Sequence, residues 1–165
     1  MPKLNPARLS HFKSSGRAAM VDVGAKQPTR RTAAASAFVE LSAAVIAALP
    51  ANPKGNPLEV ARFAGIQAAK RTAELIPMCH PLALTHVDVE TELVTGGARN
   101  GVRVTATAAA FGPTGVEMEA LTAAAIAALT VYDMTKALDK SIVIRDLRLD
   151  SKTGGKSGTF SRQAR

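Results

Sequence analysis

Residues 84–106, LTHVDVETELVTGGARNGVRVTA, decide the fold because they contain a complete β-hairpin pattern. Apolar residues from Val87 to Leu93 alternate with polar ones, which predicts a half-buried strand with one wet face. The sequence GGARNG at 96–101 supplies turn residues, and the alternation resumes directly after it. The protein therefore contains at least two adjacent antiparallel strands.

Helical patterns flank this hairpin on both sides. The sequence NPLE at 56–59 combines an Asn cap with Pro at the first helical position, which predicts a helix over 56–75. TGVE at 114–117 has the form of a capping box and predicts a long helix over 114–138. The alanine-rich segment 32–49 has large apolar residues at helical spacing, which predicts a further helix before these two.

Short alternating segments at 20–23 and 141–149 predict one strand at each end of this series. The order strand, two helices, hairpin, helix, strand predicts an α+β protein. The nearest common plan is ferredoxin-like, an antiparallel sheet with helices packed on one face. A chain of 165 residues fits one domain over residues 1–165. We expect segments 1–19 and 151–165 to be flexible, or ordered only when substrate binds.

Charge is distributed unevenly along the chain, whose net charge is +8. Residues 1–31 hold seven basic side chains and one acid, and residues 148–165 hold five and one, so the middle is slightly acidic. Two interpretations compete: solvated basic ends with weak nucleic-acid contacts, or cations that converge on a polyanionic small molecule. Basic and aromatic residues do not alternate, so we predict no nucleic-acid partner.

Composition also bounds the compartment. One cysteine excludes an intramolecular disulfide and fits a reducing environment. The first 20 residues are basic without an apolar stretch, unlike a secretory signal. No apolar run is longer than 123–129, and this run is far shorter than the ~20 residues that span a bilayer. We expect a cytoplasmic protein without a membrane partner.

Two familiar motifs fail on inspection. GKS at 155–157 resembles the end of a phosphate-binding P-loop, but Asp150 stands where that motif needs its first Gly. Cys79, His80 and His86 do not have zinc-ligand spacing, so we predict no metal site.

Two polar groups on the long predicted helix are better candidates for chemistry. Asp133 and Lys136 are three residues apart and share a face, as an ordinary ion pair or as an acid/base pair. Glu117 and Glu119 lie near the other end, and a continuous helix would separate Glu119 from Asp133 by roughly 20 Å. One small-substrate site cannot easily use both, so joint use implies a site shared by two subunits. His80, between two prolines, is presented by a constrained loop, with local hydrogen bonding as the alternative.

Longer blocks carry a family resemblance over about residues 16–160. They are MVDV at 20–23, AGIQAAKRT at 64–72, CHP at 79–81, TGVEMEALT at 114–122, YDM at 132–134 and GGKSG at 154–158. In this order they resemble the cyclic pyranopterin monophosphate synthase (MoaC) family of molybdenum cofactor biosynthesis. The resemblance implies a lyase that converts a 3',8-cyclised dihydro-GTP into cyclic pyranopterin monophosphate and releases pyrophosphate.

The resemblance also implies an assembly and a site. Family members are homohexamers, trimers of dimers, with sites at the dimer interface, and no cofactor is implied beyond Mg²⁺ that could accompany the phosphates. The implied catalytic residues are Asp133, Lys136 and His80. The implied substrate-binding residues are Met78, Cys79, His80, Glu117, Met118, Glu119 and the cations Lys26, Arg31 (with Arg30 as the alternative), Lys54, Lys70 and Lys152.

Two other functions remain open at this point. A basic α+β domain could bind nucleotides or RNA, and steep salt dependence of binding would distinguish it from a synthase. An inactive relative could serve as an oligomeric scaffold, although every candidate catalytic position retains a reactive side chain.

Overall fold

The computed structural model describes residues 16–163. Its strands and longer helices account for most of this range, and a single 3₁₀ turn, Leu49–Ala51, follows the first helix. The elements in chain order are β1 (Thr29–Glu40), α1 (Ala43–Ala48), α2 (Pro57–Lys70), α3 (Thr72–Leu75), β2 (Leu84–Val94), β3 (Gly101–Gly112), α4 (Glu117–Thr135), β4 (Val143–Thr153) and β5 (Phe160–Ser161).

The five strands form one antiparallel sheet in the order β2-β3-β1-β4-β5. The first four strands have the order of a ferredoxin-like βαββαβ unit, with α2 and α4 as the two crossover helices. The α+β class and the antiparallel sheet carrying packed helices are therefore confirmed. The hairpin is also confirmed, since Val94 pairs with Gly101 at its closed end.

Small residues allow α4 to lie close to the sheet. Alternate residues of β1 from Ala33 to Val39 are buried, and they face alanines of α4 such as Ala120 and Ala127. Gly65 of α2 serves the same purpose, because a Cβ there would come 2.9 Å from the Ala123 carbonyl oxygen. Alanine and glycine thus bring the backbones together where larger side chains would hold them apart.

Two predicted elements were wrong. Residues 32–49 are not one helix: residues up to Glu40 belong to the central strand β1, and only Ala43–Ala48 is helical. Alanine favours helices, but β1 is hydrogen-bonded on both sides, and tertiary pairing outweighs that weak preference. Residues 20–23 are not a strand but an irregular segment that borders a cavity.

The remaining boundaries differ in detail. Asn56 caps α2 as predicted, accepting a hydrogen bond from the Leu58 N–H, whereas α4 begins at Glu117 without a side-chain cap. The C-terminal segment contains regular structure, because β4 extends to Thr153 and β5 pairs with it. Most of the predicted flexible segment 1–19 lies outside the described residues. Within residues 16–163, no helix has the length and apolar character needed to cross a membrane.

Candidate active site

A cavity of about 360 Å³ lies at the amino-terminal end of α4. The segment before β1, the loop after α3 and the first turn of α4 enclose it. Seven of the predicted site residues line it: Lys26, Met78, Cys79, His80, Glu117, Met118 and Glu119. The structure therefore assembles residues that lie up to about 90 positions apart in the sequence.

His80 is held by the backbone of the segment before β1. Its Nε2 lies 2.8 Å from the Val21 carbonyl oxygen. Because a carbonyl can only accept, Nε2 must carry the proton, which leaves Nδ1 as the acceptor of the neutral ring. The constrained loop thus presents an imidazole of defined tautomer at the cavity.

Glu119 is a buried carboxyl group on the first turn of α4, with only 4% of its surface exposed. Burial raises the pKa of Glu119, and the charge of Glu117 raises it further, against an opposing backbone hydrogen bond. Burial and the nearby Glu119 charge also raise the pKa of the Cys79 thiol. Burial at this end of α4 thus shifts the titration of Glu119 and Cys79 toward their protonated forms.

Lys152 supplies a positive charge beside Glu117. It lies opposite Ala33 on the helix-covered face of the sheet, and its Nζ is 3.6 Å from Glu117 Oε1. The same Nζ contacts the Ser157 hydroxyl. Gly115 leaves room for this arrangement, because a Cβ there would overlap the Glu117 carboxylate.

A second, smaller cavity of about 120 Å³ adjoins the first and shares His80, Leu82 and Glu119 with it. Lys70 lines this cavity at the end of α2, together with Arg71. The predicted cation Lys70 therefore lies beside the same acidic and imidazole groups. A negatively charged ligand could extend from one cavity to the other.

Arg31 and Arg30 occupy different environments. Arg31 is buried at the start of β1, whereas Arg30 is exposed. The Arg31 Nε and one terminal nitrogen each lie 3.3 Å from a carbonyl oxygen, of Gly112 and Pro113 respectively.

The predicted catalytic pair, Asp133 and Lys136, lies at the carboxyl-terminal end of α4. Lys136 Nζ is 2.7 Å from Asp133 Oδ1, and Lys54 Nζ is 3.9 Å from Asp133 Oδ2. A hydrogen bond and the charge of Lys136, followed by the charge of Lys54, lower the pKa of Asp133. The same partner raises the pKa of Lys136. Both members of the pair are therefore charged, and they are exposed to solvent.

The two groups do not meet within one chain. α4 is continuous from Glu117 to Thr135, so the separation of 14 positions from Glu119 to Asp133 places them about 21 Å apart along the helix axis. The structure thus brings His80, Glu117, Glu119 and Lys152 together and leaves Asp133, Lys136 and Lys54 as a separate group. We call these the buried cluster and the exposed cluster.

A larger cavity of about 550 Å³ lies on the open face of the sheet, away from both clusters. Its three arginines are each paired with a carboxylate, as Arg99 is with Asp146 at 3.4 Å. It therefore offers no excess of cations for an anionic ligand. Across residues 16–163, no three His, Cys, Asp or Glu side chains are grouped as metal ligands would be.

Sequence patterns missed two contacts of the buried cluster. The partner of His80 is the backbone carbonyl of Val21, and a backbone acceptor leaves no side-chain signal. Ser157 was part of the glycine-rich block, but its contact with Lys152 depends on the turn that brings the segment back to β4.

Fold and clusters together define a class of protein: a ferredoxin-like α+β domain with imidazole, carboxyl and amine groups suited to proton transfer on an anionic small molecule. A family model described as "MoaC family" matches residues 20–155. The chain belongs to the MoaC family, which confirms the resemblance found in the sequence blocks.

Curated relatives agree with this membership. The chain is 55% identical over 155 residues to the cyclic pyranopterin monophosphate synthase of Rhodospirillum rubrum, covering 93% of the chain and 92% of the relative. It is 55% identical over 156 residues to the enzyme of the same name from Nitratidesulfovibrio vulgaris, covering 93% and 96%. It is 52% identical over 163 residues to molybdenum cofactor biosynthesis protein 1 of Homo sapiens, covering 98% of the chain but only 25% of that longer protein. The names of the two bacterial relatives support the predicted synthase activity and lyase class.

Proposed function

We propose that this chain is a cyclic pyranopterin monophosphate synthase, a lyase of molybdenum cofactor biosynthesis. It converts a 3',8-cyclised dihydro-GTP into cyclic pyranopterin monophosphate and releases pyrophosphate. The observation that carries the proposal is the pair of clusters at opposite ends of α4 in a MoaC-family fold. One contains the buried Glu119, the half-buried Glu117 and an imidazole, and the other contains an exposed acid and two amines.

The reaction needs proton donors and proton acceptors in one site. Burial raises the pKa of Glu119 and the contact with Lys136 lowers that of Asp133, so the two carboxyl groups are shifted in opposite directions, as acid and base roles require. The acceptor Nδ1 of His80 adds a group that can take a proton. Asp133, Lys136 and His80 are therefore proposed as the catalytic residues, and Met78, Cys79, Glu117, Met118 and Glu119 as their substrate-binding neighbours.

The substrate and the leaving pyrophosphate both need positive charge around them. Lysines lie at both clusters: Lys26, Lys70 and Lys152 around the cavities, and Lys54 beside Asp133. Convergent amines would neutralise the triphosphate and stabilise pyrophosphate as it departs. No resident cofactor is proposed, and Mg²⁺ would enter with the phosphates.

Each complete site would combine the clusters of two subunits. A two-fold axis crossing the middle of α4 would place the buried cluster of one subunit beside the exposed cluster of the other, twice per dimer. Phe63 of α2 and Leu129 of α4 are 69% and 52% exposed on the helical layer, which such a dimer would bury. We propose the family's homohexamer, a trimer of dimers, as the full assembly.

Direct conversion of substrate tests the activity. The purified chain is incubated with the 3',8-cyclised dihydro-GTP, and pyrophosphate and the pterin product are measured together. Formation of both in equal amounts is the expected result. Absence of both, with the substrate intact after prolonged incubation, would contradict the proposed reaction.

Mixed oligomers test the shared site. We expect Glu119→Gln and Asp133→Asn chains to be inactive separately, and after unfolding and refolding together they should recover about one quarter of wild-type activity. Half of the dimers are then mixed, and each mixed dimer has one intact site. The control mixes each variant with itself in the same way. No recovery in oligomers proven to be mixed would exclude a shared site.

A further inference from the structure

Arg31 has an unusual environment for a cation near a proposed anion site. Its side chain is nine-tenths buried, with 9% exposure. Its Nε donates to the Gly112 carbonyl and one terminal nitrogen donates to the Pro113 carbonyl, both at 3.3 Å. Among residues 16–163, no carboxylate lies within ion-pair distance of its guanidinium. The group is therefore engaged by backbone at the junction where β3 ends and the loop to α4 begins.

The glycine-rich turn after β4 lies against the other side of this guanidinium. Gly154 and Gly155 have φ of +91° and +77°, so the chain turns sharply there. A Cβ on Gly155 would overlap a terminal nitrogen of Arg31 and lie 2.6 Å from its Cζ. Gly158, with φ of +65°, has open space around it instead. Close approach to Arg31, and not only backbone conformation, requires glycine at position 155.

These two contacts lie on either side of the buried cluster. The loop that begins at Pro113 leads within four residues to Glu117, and the turn at Gly154 follows Lys152 by two residues. Lys152 in turn reaches both Glu117 and Ser157 across this gap. Whatever fixes the loop and the turn relative to each other also fixes the distance between Lys152 and Glu117.

We infer that Arg31 is a positioning residue: its guanidinium clamps the β3–α4 loop to the glycine-rich turn and so holds Lys152 against Glu117. This inference rests on the proposed function for its effect on turnover, but the clamp itself is independent of it. The alternative, that Arg31 contacts a substrate phosphate directly, predicts different behaviour in each measurement below.

Hydrogen exchange tests the clamp without any substrate. In the full-length protein, Arg31→Gln and Gly155→Ala should each increase amide exchange in residues 154–161 at least tenfold over wild type. Arg30→Gln and Gly158→Ala are the matched controls, because Arg30 is exposed and a Cβ at 158 meets nothing. Exchange in this segment that is unchanged by both Arg31→Gln and Gly155→Ala would overturn the inference.

Steady-state kinetics separate positioning from phosphate binding. With the cyclised dihydro-GTP, Arg31→Gln and Gly155→Ala should each lower kcat about tenfold. The kcat of the double variant should be no lower than that of the less active single variant, because both changes open the same clamp. Arg31→Lys should not restore kcat, since one ammonium cannot reproduce the planar two-carbonyl contact.

A direct phosphate contact would instead raise KM and weaken inhibition by inorganic pyrophosphate. In that case Arg31→Lys would restore much of the binding, and Gly155→Ala would behave like Gly158→Ala. That pattern would overturn the inference while leaving the proposed function intact. If wild type shows no turnover, the proposed function fails, and the exchange measurement still decides whether the clamp exists. If Arg31→Gln does not fold, Gly155→Ala and Arg31→Lys carry both measurements.

Discussion

The two ends of α4 carry similar side chains in opposite electrostatic environments. At the amino-terminal end, Glu119 is almost fully buried, and desolvation raises its pKa. At the carboxyl-terminal end, Asp133 is exposed, and its contact with Lys136 lowers its pKa. A carboxyl group in the first place tends to hold a proton, and one in the second place tends to lose it.

This difference shows how a single helix can serve acid and base chemistry. Residues of one chain line the cavity beside Glu119, whereas Asp133 and Lys136 are exposed to solvent. A neighbouring subunit would cover them, and burial would then strengthen the Asp133–Lys136 interaction. One chain thus sets the environment of the buried cluster, and the proposed dimer would change that of the exposed cluster.

Removal of the exposed carboxylate is expected to have the largest effect. Asp133→Asn should lower kcat by about 10²–10⁴-fold, the range typical of a lost general acid or base. Asp146→Asn is a matched control, because it removes an exposed, ion-paired aspartate on the other face of the sheet. Turnover of Asp133→Asn within threefold of wild type would remove the exposed cluster from the mechanism.

The close packing of α2 against the middle of α4, between the two clusters, can be disturbed at Gly65. A Cβ there would lie 2.9 Å from the Ala123 carbonyl oxygen and 3.0 Å from Val89 Cγ2. Gly65→Ala should therefore lower the free energy of unfolding by about 1–3 kcal/mol, despite the better helix propensity of alanine. Gly97→Ala, in open space on the hairpin, is the control. Urea denaturation measures the free energy of unfolding of both variants. A Gly65→Ala variant more stable than wild type would show that the close α2–α4 contact does not require glycine.

The two carboxyl groups should also give opposite pH dependences of stability. The pKa of Glu119 is above its ordinary value of 4.5 in the folded state, so its contribution falls as pH rises from about 4.5 through the folded pKa. Glu119→Gln should therefore become more stable relative to wild type as pH increases from 4 to 7. Glu90→Gln controls for the loss of one carboxylate.

For Asp133 the sign is reversed. Its folded pKa is below the ordinary value of 3.8, so its favourable contribution is present above 3.8 and is lost as pH falls through the folded pKa. Relative to wild type, Asp133→Asn should therefore show no gain in stability between pH 4 and 7. Denaturation curves of both variants at several pH values test the contrast, and parallel pH profiles would abolish it.

The smallest expected effect is on stability at Lys54. Its 3.9 Å ion pair with Asp133 is exposed, so Lys54→Gln should change the free energy of unfolding by no more than about 0.5 kcal/mol. The same variant should raise KM for the substrate several-fold. Arg62→Gln, which removes a similar exposed ion pair with Asp88, should leave KM unchanged. Equal KM values for the two variants would show that Lys54 does not contribute to substrate binding.

Local patterns predicted those elements in which the preference of the sequence and the tertiary contacts favour the same secondary structure. The hairpin β2–β3 alternates, and α2 has an Asn cap and Pro at its start, so the hairpin and the start of α2 were predicted close to their observed bounds. The single helix predicted to residue 75 instead ends at Lys70, and α3 follows it. β1 was missed because its alanines favour helix, while the two strands beside it require an extended chain. Alanine at Ala33, Ala35 and Ala37 reflects the nearness of α4, not a helical state.

The sequence by itself determined the class of fold and the family and supplied the candidate site residues, because long motifs and periodic patterns are local properties of the chain. Only the tertiary structure decided which of those residues meet. It placed His80 against Val21, buried Glu119 and enclosed the Arg31 guanidinium between two turns. Burial and approach distance arise from packing between segments far apart in the chain, and they determine which side chains are charged and which can react together.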